Sequence, residues 1–396
     1  MIIIDKPYIS EDLKNYLDLC QIPVLKSQIS IRENEEHSFN LISDTDFIKI
    51  FDKNSRLYTL SENSLDWVKK NIDDKSLLNS INIMKDKFAF REKISSLYPS
   101  FYFKKVCIDD LEKLEIDKSK FPLILKPVVG FFSAGVYALS DELDFKTAIE
   151  DIKESYGKWK SIFPTTVVGE HEFILEQYIT GDEYAIDAYF DENGQAVVLN
   201  IMVHEFLSQS DVSDTLYYTS KEILEKYVVV FEDYLNSINA VLGVKNFPFH
   251  AEVRVNEKNE IAPIEFNPLR FAGWSTTDIT NFAFGFFTYD YYFNNKRPDW
   301  KELLKGKDDK KYTLILLNKP SSYSIGDIFD FEMLKKDFIK ILCLRELDYT
   351  KTENPFGFLF TETPYCNLAE LTKITTSDLS EYITKQDSLY TEQPEK

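Results

Sequence analysis

Between residues 84 and 295 the chain carries several apolar runs of strand length, many of them set off by turn residues rather than by regular helices. The runs are Leu123–Pro127, Gly135–Leu139, Phe173–Gln177, Ala185–Phe190, Val197–Val203, His250–Val255 and Ile261–Phe266. Between two of them stands Asp191-Glu192-Asn193-Gly194, a turn signal that predicts an antiparallel hairpin. Residues 222–242 add one long amphipathic helix, ended by Gly243. A βαβ array would place a helix between successive strands, so this pattern predicts an α+β core instead.

The flanks differ from this core. Ile2–Ile4 reads as a short buried strand, and Ser10-Glu11-Asp12-Leu13 opens a helix whose apolar side is Leu13, Tyr16 and Leu17. A second strand is expected near Ile22–Leu25, and Ser64–Ile94 shows helical spacing, so residues 1–83 predict a small α/β domain. The polar, lysine-rich stretch from Lys296-Arg297-Pro298 to Lys311 predicts a subdomain boundary, followed by a last unit over 296–385. Residues 386–396 are polar and predict a flexible tail. A chain of 396 residues is too long for one simple core, and two to four packed subdomains are expected.

Charge removes some function classes. The chain has 46 basic and 66 acidic side chains, a formal charge of −20, which repels a phosphate backbone and argues against a nucleic-acid partner. A compact polyanion such as ATP is still admissible, because a few lysines, backbone N–H groups and a divalent metal reverse the field locally. The four cysteines, Cys20, Cys107, Cys343 and Cys366, form no C-x-x-C pair and predict free thiols. No apolar run reaches the length of a membrane span, so a cytoplasmic protein without a membrane partner is expected.

Three segments carry chemistry. In Phe121-Pro122-Leu123-Ile124-Leu125-Lys126-Pro127, an apolar strand ends in a lysine, and Gly130, Ser133 and Gly135 follow. Lys126 is placed to reach phosphate oxygens while those small residues let backbone N–H groups approach them; otherwise it is a snorkelling lysine before an ordinary turn. The loop has neither a Walker A nor a G-x-G-x-x-G pattern. In the second segment a strand delivers Glu176, the chain reverses at Gly181, and Glu183 opens the next strand. Those carboxylates suit an adenine amine or a ribose diol, or else a solvated acidic turn. In the third, Phe249–Val255 and Ile261–Pro268 read as a hairpin that sets Glu252 opposite Glu265, with Asn267 on the face of Glu265. Carboxylate and amide oxygens are the donors magnesium prefers, the alternative being the exposed face of a hairpin.

In this order and at these separations the three segments resemble the ATP-grasp superfamily over roughly residues 84–295. Met84-Lys85-Asp86-Lys87, with helical Phe88–Ile94, looks like the family segment whose lysine contributes to the nucleotide pocket. The resemblance implies an ATP-grasp fold of the α+β class, with an N-terminal α/β pre-ATP-grasp domain, a catalytic core over 84–295 and a small C-terminal α/β subdomain. It implies that Lys87 and Lys126 contact the phosphates of ATP and that the loop of Gly130, Ser133 and Gly135 closes over them. Glu176 and the backbone near Tyr178 and Ile179 are then expected at adenine, and Glu183 at ribose. Glu252, Glu265 and Asn267 are expected to bind magnesium, for which manganese substitutes, and Arg270 to stabilise charge on the transferring phosphoryl group.

Many family members place the arginine directly after Asn-Pro, whereas here Leu269 intervenes and Arg270-Phe271-Ala272-Gly273-Trp274 follows. That ending is more similar to amino-acid ligases and related carboxylate-amine ligases than to biotin carboxylases. Phe271 and Trp274 are expected either in the core or along the substrate pocket, and His204, Glu205 and Asp214–Tyr218 as further candidates for its lining. His37 and His171 are expected at the surface, and His250 beside the metal ligands. The implied reaction joins a small carboxylate to an amine through an acyl phosphate, releasing ADP and phosphate, and is compatible with a homodimer. The loop around Phe131 and Phe132 and the last domain are the expected lids. The rivals are a grasp-type kinase, a carboxylase-like enzyme, and a nucleotide-binding regulator without catalysis. The presence of Glu252, Glu265, Asn267 and Arg270 counts against the last of these.

Overall fold

In the computed structural model the described residues are 1–129, 135–162, 172–205, 215–350 and 355–385, with only the backbone described over 155–162. They mix helix and strand and divide into two compact units. The first comprises Met1–Asp182, Asp187–Val198 and Phe231–Ser275. The second comprises Glu183–Ile186, Leu199–Val230 and Thr276–Lys396.

The first unit begins with a parallel sheet of β1 (Ile2–Ile3), β2 (Val24–Leu25), β3 (Leu41–Ile42) and β4 (Tyr58–Thr59), in the order β3-β2-β1-β4. Helices Glu11–Cys20, Gln28–Glu33 and Asp44–Ile50 connect these strands, and Ser10, Ser27 and Ser43 cap them by accepting N–H groups of the first turn. This matches the α/β opening expected from the sequence, although β2 starts two residues later than expected, just after Pro23. The helical stretch expected over 64–94 is realised as three main helices, Leu65–Asn71, Lys75–Lys85 and Lys87–Lys93. The breaks have a local cause: Asp74 and Asp86 cap new helix starts with their own carboxylates.

Next comes an antiparallel sheet of β5 (Phe103–Cys107), β6 (Leu123–Pro127), β7 (Tyr137–Leu139) and β8 (Glu172–Gln177), in the order β5-β8-β6-β7. One face is apolar: Leu123, Leu125, Phe173 and Leu175 pack on Phe145, Ala148, Ile149 and Ile152 of the helix Glu142–Ile162. The strand alternation therefore turns Ile124, Lys126, Ile174 and Glu176 to the other face. Neither β5 nor this helix is among the elements expected from the sequence.

β9 (Asp182–Phe190) and β10 (Ala196–Glu205) are joined by the expected turn, where Gly194 has φ 81 and the Asp191 carboxylate accepts the N–H groups of Asn193 and Gln195. In the second unit β10 pairs with β11 (Leu216–Thr219). The helix Lys221–Leu242 follows, ending at Gly243 with φ 72 as the sequence predicts. β12 (Phe247–Val255) and β13 (Ile261–Pro268) form the expected hairpin. β11 continues the second unit's antiparallel sheet to β14 (Lys310–Leu317), with β15 (Ile328–Phe329), β16 (Ile341–Glu346) and β17 (Gly357–Pro364) further along the chain. Its order is β10-β11-β14-β17-β16, while β15 pairs separately with β18 (Ile383–Thr384). Ile315, Leu317 and Leu359 pack there on Leu334, Leu371 and Ile374. No helix among the described residues is long and apolar enough to cross a membrane.

Candidate nucleotide and metal site

Lys87 and Arg91 lie one helical turn apart on the helix Lys87–Lys93 and so share a face. The helix is fixed at its start by the Asp86 cap and by the Lys87 N–H, which donates to the Val128 carbonyl at 3.0 Å. That bond ties it to the end of β6, where Lys126 points to the same side. Lys87 Nζ reaches Glu265 at 2.7 Å, and Arg91 Nε reaches Glu176 at 2.7 Å. Lys126 Nζ takes the other Glu176 oxygen, also at 2.7 Å, across a diagonal of the β6–β8 register.

Glu176 is thus held between two cations at 2% exposure. Burial opposes its ionisation, but Arg91 and Lys126 outweigh that and hold the carboxyl at about 2. Burial pulls the Lys126 ammonium below its ordinary value although Glu176 resists. The backbone beyond it is partly committed: the Tyr178 N–H donates to the Pro122 carbonyl at 3.1 Å, and the Ile179 carbonyl accepts from Arg254 at 2.7 Å. Gly135 adopts φ 75, while Gly130 and Ser133, together with Phe131 and Phe132, lie outside the described residues.

The β12–β13 register sets Glu252 directly opposite Glu265 and His250 opposite Asn267, with a bulge after Glu252. Asn267 Nδ2 donates to Glu265 Oε1 at 3.1 Å, so its amide oxygen is the atom left to face a cation. Burial works against ionisation of Glu265, but Lys87 and the nearby Lys126 hold its carboxyl well below the usual range. His250 Nδ1 lies 2.8 Å from buried Asp187, and its Nε2 lies 3.8 Å from Glu252, so Asp187 orients the ring beside that carboxylate. Among the described residues there is no group of three or more His, Cys, Asp and Glu that could hold a metal alone. Two facing carboxylates and an amide are nonetheless hard oxygen donors, and they fit magnesium, which keeps water and shares phosphate oxygens.

Arg270 lies just beyond this hairpin, and the inserted Leu269 is accommodated rather than extruded. Leu269 takes a left-handed backbone at φ 60 with its side chain fully buried. Its carbonyl accepts the Thr59 N–H at 2.7 Å. Phe271 is buried against Tyr58, with ring centroids 5.3 Å apart, which settles it as core, while Trp274 is half-buried. The first unit therefore contains Lys87, Lys126, Glu176, Tyr178, Ile179, Glu252, Glu265, Asn267 and Arg270, and contacts join Lys87, Glu252 and Asn267 to Glu265 and Lys126 to Glu176. It also supplies Glu62, Lys85, Arg91 and Asp187, none of which the sequence reading singled out.

Glu183 belongs to the second unit, where it lies 3.0 Å from Nδ1 of buried His204. His204 stacks on Tyr217 at 4.2 Å, and exposed Glu205 pairs with Lys311. Asp214 lies outside the described residues, as does His171. His37 is half-buried rather than at the surface, because it is held 2.8 Å from Asp18 and stacked on Phe39.

Residues 119–278 match the family model described as the ATP-grasp domain. A comparison with curated protein sequences finds no match. Among solved structures, the chain is similar to an L-amino acid ligase from Bacillus licheniformis, at 16% identity and a TM-score of 0.62 over 96% of this chain and 97% of that one. It is also similar to N5-carboxyaminoimidazole ribonucleotide synthetase from Thermotoga maritima, at 15% identity and 0.61 over 97% and 98%. A third is the biotin carboxylase domain of Hydrogenobacter thermophilus 2-oxoglutarate carboxylase, solved with MgADP, ADP and bicarbonate, at 11% identity and 0.57 over 92% and 86%. At such identities the likeness is one of fold. The domain match covers residues 119–278, and beyond it the likeness is to the ATP-grasp fold.

Proposed function

We propose that the protein is an ATP- and magnesium-dependent ligase that activates a small carboxylate as an acyl phosphate and couples it to an amine, with amino acids as the leading substrates. The observation that carries this reading is the facing pair Glu252 and Glu265, with Lys87 on one carboxylate and Arg270 just beyond Asn267. A site that transfers a phosphoryl group needs positioned cations and oxygen donors for metal, and it needs no protein nucleophile. Lys87 and Lys126 would hold phosphate oxygens, and Glu252, Glu265 and Asn267 would hold magnesium. When bound, the metal neutralises the polyphosphate and orients it. Arg270 would meet the charge that develops on the phosphoryl group and then the acyl phosphate. Glu183, oriented by His204, is offered for ribose, and Glu176 for the adenine end, where its first task is to hold Lys126 and Arg91 in place. The fold-level likeness to an L-amino acid ligase supports amino acids as acid and amine.

The test is a screen of amino acids and small carboxylates, singly and in pairs, for magnesium-dependent phosphate release. A ligase requires an acid and an amine together for sustained turnover, with ADP and a condensed product formed in equal amounts. Release driven by bicarbonate alone, or a phosphorylated product without any amine, would move the chain to the carboxylase-like or kinase reading.

A further inference from the structure

Glu62 opens a short helical turn just after β4 and stands, largely buried, between two cations. One of its oxygens accepts from Arg270 Nη2 at 2.9 Å and from Nε at 3.3 Å; the other takes the ammonium of Lys85. Arg270 Nη1 donates to the Phe271 carbonyl at 3.0 Å. All three guanidinium nitrogens are therefore fixed, and the N–H groups left over have one orientation to offer an incoming oxyanion. A glutamate paired with that arginine alone would cancel its charge. Burial opposes the charge on Glu62, yet Lys85 and Arg270 together keep its carboxyl ionised below the usual range; burial also lowers the Lys85 ammonium, which Glu62 counters, and with both cations charged the trio is net positive.

The same segment also holds the backbone beneath the arginine, because Thr59 donates both its N–H and its hydroxyl to the Leu269 carbonyl, at 2.7 and 3.3 Å. Gly273 lies close by: a Cβ there would come within 4.0 Å of Arg270 Nη1. We propose that Glu62 is the positioning residue that aims Arg270 at the transferring phosphoryl group, with Lys85 preserving the positive charge that the pairing would otherwise remove. This rests on the ligase reading of Arg270, and it makes the end of β4 a working part of the site.

Orthovanadate bound with MgADP mimics the transferring group and requires no known acid or amine. It is titrated against MgADP-loaded wild type, Arg270→Ala, Glu62→Gln, Glu62→Asp and the Glu62→Gln/Arg270→Ala double variant, after the MgADP affinity of each is measured. Vanadate affinity is expected to fall about tenfold or more in Arg270→Ala and in Glu62→Gln, as for loss of an oriented transition-state donor. Glu62→Asp should restore part of it, and the double variant should bind no more weakly than Arg270→Ala, because the two residues act as one device. MgADP affinity should stay within about threefold throughout, since ground-state nucleotide does not use the arginine. Wild-type vanadate affinity in Glu62→Gln, or losses that add in the double variant, would overturn the proposal. Vanadate binding unaffected by Arg270→Ala, with MgADP intact, would remove the arginine's role and this proposal with it. Failure of wild type to bind MgADP would instead defeat the nucleotide reading. If Glu62→Gln does not fold, Glu62→Asp decides alone: an unchanged vanadate affinity refutes the positioning role.

Discussion

Glu176 shows how one buried residue can hold two others. Its unfolded-state carboxyl titrates near the ordinary 4.5, while in the native protein it stays ionised down to about 2. A depressed native pKa contributes stability that is present above the unfolded value and is lost as pH falls through the native one. The ligand-free protein is therefore expected to lose stability between about pH 4.5 and pH 2, and Glu176→Gln should flatten that part of the curve in acid denaturation followed by circular dichroism. Lys126→Ala should weaken ATP binding while the fold persists, and calorimetry on the folded variant reads this directly; normal affinity would show that the lysine does not meet phosphate. Glu265→Gln and Arg270→Ala separate binding from chemistry within one segment. The first should reduce magnesium-dependent nucleotide affinity. The second should leave affinity nearly intact and slow turnover on the order of 100-fold, since only interactions stronger in the transition state accelerate the step.

Among the elements, the turn between β8 and β9 is the tightest spot that the sequence marks. Gly181 has φ +115, and an added Cβ would lie 2.2 Å from the Val255 carbonyl oxygen, so Gly181→Ala is both strained and sterically blocked. Its expected cost is about 1–3 kcal/mol, measured as a lower denaturant midpoint with the slope unchanged. Elements of this kind were readable because alternation and turn residues are local signals: they gave the β12–β13 hairpin, the opposition of Glu252 and Glu265, and the inward Lys126. The partners were not readable. Glu62 and Arg91 are separated from the residues they hold by 208 and 85 positions, and nothing in their own surroundings announces the pairing. β5, Phe103-Lys104-Lys105-Val106-Cys107, gives no strand signal because its charged pair hides the alternation, and its pairing with β8 makes it a strand. Leu269 departs from the pattern that the sequence resembles, and its anchor, Thr59 of β4, stands 210 positions away.

At the scale of the molecule, the proposed function asks a chain with a formal charge of −20 to attract a polyanion. MgATP is expected to raise the melting temperature, by mass action on the native state alone. No shift at millimolar nucleotide and magnesium would count against the ATP-grasp site being functional. Lys87 is held by Glu265 and Lys126 by Glu176, so the cations proposed to meet phosphate rest on acidic partners, one of which is proposed to hold metal. If the proposed roles hold, binding would be an exchange of partners: Glu265, taking magnesium, would release Lys87 for phosphate, and Lys87, taking phosphate, would leave Glu265 open to magnesium. Each ligand should accordingly tighten the other by the same factor, as linkage requires, and the melting shift with both should exceed the sum of the shifts with each alone.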